Sequence, residues 1–191
     1  MLSEEKRIKT KAQLKEYLDV ELEPYQLHGR QYIAYIFQIS ERAILRRHTI
    51  LLRKTEYHLN AGHKLIGGLY YARLMKFQLK YSIHIPINCF GKGLRVMHVG
   101  PCTMNGEITV GENCRVNMYA SVVWSDGKNE GVPTLGDNVT LGLGSIVQGN
   151  VSLADNITVG SGALVNKSFL EPGINLAGVP ARKIGEKSAE I

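Results

Sequence analysis

The chain has 191 residues, 44% of them apolar, with 23 lysines and arginines against 17 acidic residues and a net charge of +6. That balance suits a globular chain with one good core or two small ones, and without a run of ~18 apolar residues it excludes a membrane-spanning helix. Cys89, Cys102 and Cys114 are odd in number and lack CxxC spacing, so they read as reduced thiols rather than as a disulfide framework or a metal site.

Charge and glycine both divide the chain near Lys80. Through residue 80 there are 15 basic and 8 acidic residues; the remainder carries 8 and 9. Glycine runs the other way, with 4 of 20 before residue 81. The expected organisation is an α-helical N-terminal region, 1–80, followed by a region built on another principle, 81–191, with a C-terminal tail.

In chain order, the opening MLSEEKRIKTKAQ lacks an apolar core and is not expected to act as a secretory signal. A cytoplasmic location is expected. Residues 4–18 are rich in helix formers, and Pro24 separates them from the next segment. From about 30 to 59, Ile36, Ala43, Ile50 and Tyr57 recur seven apart, as on one amphipathic helix. Asn60-Ala61-Gly62 is a stop signal, and a further helix is expected from about His63 to Lys80. Arg42, Arg46, Arg47, Arg53 and Lys54 read as a basic surface, either a solvated face or one attracted to an anionic membrane. No nucleic-acid-binding motif accompanies the charge.

Beyond residue 100 the spacing changes. Leu135, Leu141, Val147, Leu153, Val159 and Val165 are each six apart, with Val139, Ser145, Val151, Ile157 and Ala163 in step four residues later. Val110, Val116 and Val122 keep the same spacing upstream. A helix would scatter such residues around its axis, and a plain strand needs period two. Period six fits a chain that bends after each short strand, three strands making a triangular coil of about 18 residues. The phase breaks between Val122 and Leu135, where WSDGKNEGVP reads as a loop leaving the coil, with Trp124 at its base.

This coil resembles the left-handed parallel β-helix of the hexapeptide acyltransferases, a mainly β fold. The closing NLAGVPARKIG, residues 175–185, looks like the segment those enzymes place beside coenzyme A, and IPINCFGKGLRVMHVG, residues 85–100, resembles their serine acetyltransferase-like branch. The resemblance implies an acetyl-CoA-dependent O-acetyltransferase acting as a homotrimer, with no metal. Its acceptor is expected to be a sugar of a capsular or exopolysaccharide; the alternative is serine O-acetylation.

By the same resemblance, His98 is the general base, since imidazole titrates near neutral pH. The six-residue phase, extrapolated upstream through Met104, would nevertheless turn His98 inward. His84 is the reserve, expected to help pack the junction. Asp126 and Glu130 are candidates to orient the base or the acceptor. Acetyl-CoA would contact Leu143, Gly144, Ser161 and Gly162 on successive coils, with Asn166, Lys167 and Arg182 toward its pantetheine or nucleotide end. Met97 before His98, Val132 before Pro133, and Ser82 depart from the serine acetyltransferase pattern, and this favours a sugar hydroxyl. A zinc lyase on the same coil needs three histidine ligands, and the coil holds only His84 and His98. A non-catalytic scaffold is the remaining class.

Overall fold

Short parallel strands visit three faces in rotation. A computed structural model describes residues 1–126 and 129–186. The first face carries β1 (Ile83–His84), β3 (Cys102–Met104), β6 (Ser121–Val123), β9 (Ile146–Gln148) and β12 (Leu164–Val165). The second carries β4 (Thr109–Val110), β7 (Thr134–Leu135) and β10 (Ser152–Leu153). The third carries β2 (Arg95–Val96), β5 (Arg115–Val116), β8 (Thr140–Leu141), β11 (Thr158–Val159) and β13 (Ile174–Ala177), with β14 (Arg182–Glu186) folding back antiparallel on β13. Thr158 stacks on Thr140, eighteen residues earlier, and Leu164 on Ile146 likewise.

The inward positions are those the period marks. Val110, Val116, Val122, Leu135, Leu141, Val147, Leu153, Val159 and Val165 are all buried, as are Val139, Val151, Ile157 and Ala163. The β-branched and aliphatic side chains suit a pleated surface with one buried face. Asn113, Asn138 and Asn156 take left-handed backbone at one corner, a conformation that Asn tolerates better than most residues. The loop between β6 and β7 lengthens one turn: Thr140 pairs with Arg115, twenty-five residues back instead of eighteen. Residues 127–128 of that loop and 187–191 of the tail lie outside the described residues.

A second break lies upstream. Val96 and Thr103 are seven apart, whereas their partners one coil on, Val116 and Ser121, are five apart. The turn holding His98 is therefore two residues longer than its neighbour. This overturns the inward placement of His98: Val96 fills the inward position and the His98 side chain is 51% exposed.

Four helices precede the coil: α1 (Lys11–Glu21), α2 (Gln31–Phe37), α3 (Glu41–Asn60) and α4 (Lys64–Tyr81). Thr10 and Gln13 form a reciprocal capping box at the start of α1. The expected helix over 30–59 is two helices. Gln38 adopts left-handed backbone and ends α2, then the Ser40 hydroxyl accepts from the Ala43 N–H and starts α3. Ile36 is consequently exposed on α2 and does not share a face with Ala43, which is buried. No helix among the described residues is long and apolar enough to cross a membrane.

The helices and the first coil share a core in which Leu45, Leu52, Leu74 and Phe77 pack with Ile83, Ile85, Phe90 and Leu94. A buried charge cluster ties them further. Arg53 is 1% exposed and donates to Glu21 and Glu56, both at 2.8 Å, and to the carbonyls of Phe90 and Gly91. Glu21 also accepts from the Gly93 and Leu94 N–H groups, and Glu56 from that of Asn88. Arg53 is thus removed from the basic surface read in the sequence, because two carboxylates and two carbonyls satisfy its donors. Burial pushes the Glu21 carboxyl up despite the Arg53 charge beside it. Burial alone would lower Arg53, but Glu21 and Glu56 outweigh it and hold the guanidinium more firmly protonated. A buried pair of this kind is fragile to the loss of one partner.

Candidate active site

The corner between the third and first faces carries one turn per coil. The first turn holds His98, the second Met118-Tyr119, the third Leu143-Gly144, the fourth Ser161-Gly162. Backbone bonds link these turns into a column: Tyr119 N–H to the Pro101 carbonyl, Gly144 N–H to that of Met118 at 3.0 Å, and Gly162 N–H to that of Leu143 at 2.8 Å. At ~4.8 Å per coil, His98 and Gly162 are about 14 Å apart along the edge. The segment 178–181 closes the column, since Leu164 N–H donates to the Gly178 carbonyl and Ala181 N–H to that of Leu164. Arg182, exposed at the start of β14, comes directly after it.

Gly144 and Gly162 have φ of +66° and +69°, and a Cβ at either would meet nothing within 4 Å. The backbone is bare there and the space beside it open, which suits a thin ligand lying against the turn. Leu143 presents a 46% exposed side chain beside it. Tyr119 occupies the equivalent place one coil nearer His98. It has φ of 60° and is 58% exposed, a costly conformation for an aromatic residue and one associated with functional sites.

His98 does not stand alone. Its Nδ1 lies 3.4 Å from Oε1 of Glu41, and the same oxygen accepts from the Val99 N–H at 2.8 Å. Glu41 belongs to the first turn of α3, where a carboxylate complements the helix dipole. A helix therefore supplies the carboxylate and the coil supplies the imidazole. A carboxylate at Nδ1 favours the tautomer with the proton there and leaves the lone pair on Nε2. Beside this pair, Pro24, Tyr25, Glu41, Arg42, Arg95 and Met97 line a cavity of about 240 Å3.

The other predicted residues fall elsewhere. Trp124, Asp126 and Glu130 sit in the loop after β6, at the opposite edge of the first face, with Asp126 accepting from the Trp124 indole N–H at 2.9 Å. Asn166 and Lys167 come after β12 at that same edge: Asn129 donates to the Asn166 carbonyl at 3.3 Å and the Lys167 ammonium lies over the Phe169 ring. Within one chain, none of these reaches His98. His84 is exposed on β1 while Ile83 and Ile85 on either side are buried, so the strand alternation turns it away from the junction it was expected to pack. Among the described residues no group of three His, Cys, Asp or Glu side chains is placed to hold a metal ion.

Sequence reasoning missed Glu41, Tyr119 and Arg95, and it read Arg42 only as part of a basic surface. Ser40-Glu41 is a legible helix start, but nothing in the sequence places it against residue 98. The left-handed place of Tyr119 could have been found by continuing the Gly162 to Gly144 spacing upstream across the loop.

No protein family and no curated protein matches this chain by sequence. Solved structures do match. Serine acetyltransferase of Neisseria gonorrhoeae in complex with serine is 18% identical with a TM-score of 0.62, covering 92% of this chain and 70% of that one. Serine acetyltransferase from Brucella abortus is 19% identical with a TM-score of 0.64, covering 93% and 71%. A serine acetyltransferase in complex with CoA is 14% identical with a TM-score of 0.65, covering 91% and 71%.

The chain has the serine acetyltransferase fold.

The matches cover 91–93% of this chain, so they take in helices as well as the coil. On that fold, the edge headed by His98 and Glu41 is the place in this chain where a histidine beside a carboxylate, open glycine turns and an exposed arginine succeed one another.

Proposed function

We propose that this chain is an acetyl-CoA-dependent O-acetyltransferase with a left-handed β-helix, and that His98 is its general base. The observation that carries the reading is the Glu41–His98 pair at the head of a column of open glycine turns. Acetyl-CoA would lie along that column, its pantetheine arm against Gly144 and Gly162 and its phosphates toward Arg182. Cations suit those phosphates. His98 Nε2 takes the proton of an acceptor hydroxyl as the oxygen attacks the thioester carbonyl. The C–S bond then breaks, and the imidazolium returns its proton to the leaving thiolate. Glu41 holds the ring and stabilises the imidazolium.

The edge is one-walled in a single chain. A threefold assembly that sets the loop edge of one protomer against the His98 edge of the next would supply the second wall. It would also bring Asp126, Glu130, Asn166 and Lys167 to the cofactor, which is our reason for proposing a homotrimer.

Of two acceptors, the comparisons favour L-serine over a capsular or exopolysaccharide sugar, since the matching structures are serine acetyltransferases. Arg42 and Arg95 in the adjoining cavity fit the same choice, because they would pair with a carboxylate that serine carries and a neutral sugar lacks. Met97, Val132 and Ser82 support the second reading, a saccharide, and an acidic one would use the same arginines. Thiol release from acetyl-CoA, measured with L-serine and with neutral and acidic sugars, separates them. Serine-dependent release is expected; release with none of these acceptors would contradict the activity.

A further inference from the structure

The face formed by the ends of α2 and α4 presents an unusual combination of charge and apolar surface. Arg47 on α3 and Arg73, Lys76 and Lys80 on α4 line a cleft of about 290 Å3 with Gln38, over a floor of Leu51 and Phe77. No carboxylate pairs with any of the four cations among the described residues. The sequence has no Asp or Glu between Glu56 and Glu107, so α4 offers none. Four like charges held together without counter-ions repel one another and attract an anion.

The elements that carry the cleft also expose apolar side chains. Ile33, Ile36 and Phe37 on α2 are 55%, 66% and 69% exposed, Ile39 just beyond it is 74% exposed, and Leu79 on α4 is 72% exposed. The Tyr81 hydroxyl donates to Gln38 at 3.0 Å, which fixes the end of α2 beside the end of α4. Isolated exposed aliphatics need no explanation, but a cluster next to unpaired cations does. Apolar side chains that enter the acyl boundary while lysines and arginines meet headgroup phosphates are the two halves of an interfacial membrane contact.

We propose that this face docks on an anionic lipid bilayer, with Ile33, Ile36, Phe37 and Ile39 inserting and Arg47, Arg73, Lys76 and Lys80 meeting the headgroups. The charge complementarity and the short distance along the chain from Ile39 to Glu41 have a joint consequence: docking holds the His98 edge close to the membrane surface. A docked enzyme would meet acceptors or partners confined to that surface. The inference does not depend on acetyl transfer, because binding to vesicles needs no catalysis.

The test is co-sedimentation of the full chain with phosphatidylcholine vesicles and with vesicles containing 30 mol% (about a third) phosphatidylglycerol. Binding to the anionic vesicles alone, weakened by salt, is expected. Arg73→Ala/Lys76→Ala/Lys80→Ala should lower partitioning roughly a hundredfold, at about fivefold per cation near the surface. Ile36→Ser/Phe37→Ser should lower it tenfold or more while leaving the circular dichroism spectrum unchanged. Equal sedimentation with both vesicle types, or full binding by the triple variant, overturns the proposal. Full binding by Ile36→Ser/Phe37→Ser overturns insertion. If that variant instead shrinks the oligomer and the parent chain ignores vesicles, the face is a contact between copies and the proposal fails.

Discussion

The helical region and the coil treat buried polar groups in opposite ways. Under the helices, Arg53, Glu21, Glu56, His48 and Gln78 are nearly or wholly buried, and each has partners. Inside the coil the column is apolar or small, and the one buried polar atom left without a partner among the described residues is the Ser145 hydroxyl. The difference follows from construction. A coil repeats one inward environment, so any hydrophobe of suitable size stacks on the last. The helices meet the first coil at an irregular junction, and specific charge pairs fix their position there. This is also where the candidate base acquires its carboxylate.

That contrast can be broken at Arg53. Arg53→Met leaves Glu21 and Glu56 buried without their counter-ion, a loss of ~3–5 kcal/mol. Urea unfolding should show it, and a loss under about 1 kcal/mol would mean the junction is held by apolar packing alone.

A second break uses pH. Burial, with Arg53 nearby, pushes the His48 imidazole down to about 4. Above its unfolded value near 6.5 both states are neutral there, so nothing is lost. As pH falls toward 4 only the unfolded chain takes up the proton, and stability falls by about 3 kcal/mol. His48→Gln should be less stable at pH 7 but show a flatter slope between pH 6.5 and 4. Parallel slopes would remove His48 from the acid response.

The coil offers two sharper tests. Arg182→Ala should weaken CoA binding by roughly tenfold to a hundredfold, the worth of a charge-assisted contact to phosphate, without altering thermal stability. Unchanged affinity in a titration would place the phosphates elsewhere. Ser145→Ala should raise stability by about 1 kcal/mol, since it removes a buried hydroxyl that has no partner. It stands in a column with Cys102, Ala120 and Ala163, where alanine already fits. A loss of stability would show that the hydroxyl is satisfied in solution.

How far the sequence could be read tracks the same division. The repeat made the inward residues from Val110 to Val165 legible, because a local period reports a local environment. It failed where the coil is irregular: two extra residues before β3 turned His98 outward, and only the register with the next coil reveals them. Among the helices, Arg53 carried the same local signal as Arg46 and Arg47, and its burial depends on Glu21, thirty-two residues away. The seven-residue recurrence that joined Ile36 to Ala43 ignored Ser40, whose capping role was visible. Glu41 could not be read as a partner of His98, because no local pattern encodes a contact across fifty-seven positions. The cysteines read as reduced thiols from their number and spacing are free and buried, and burial pushes Cys89 and Cys102 up to about 11.

The central claim is that a coil histidine, oriented by a helix carboxylate, removes the acceptor's proton. The direct measurement is the turnover of His98→Asn with acetyl-CoA and whichever hydroxyl acceptor supports thiol release in the parent chain. Asparagine keeps hydrogen bonding but cannot take up the proton at pH 7. Turnover should fall by ~10²–10⁴-fold with CoA affinity and assembly preserved, while His84→Ala leaves it near normal. Near-normal turnover in His98→Asn would contradict the account and place the base elsewhere on the molecule.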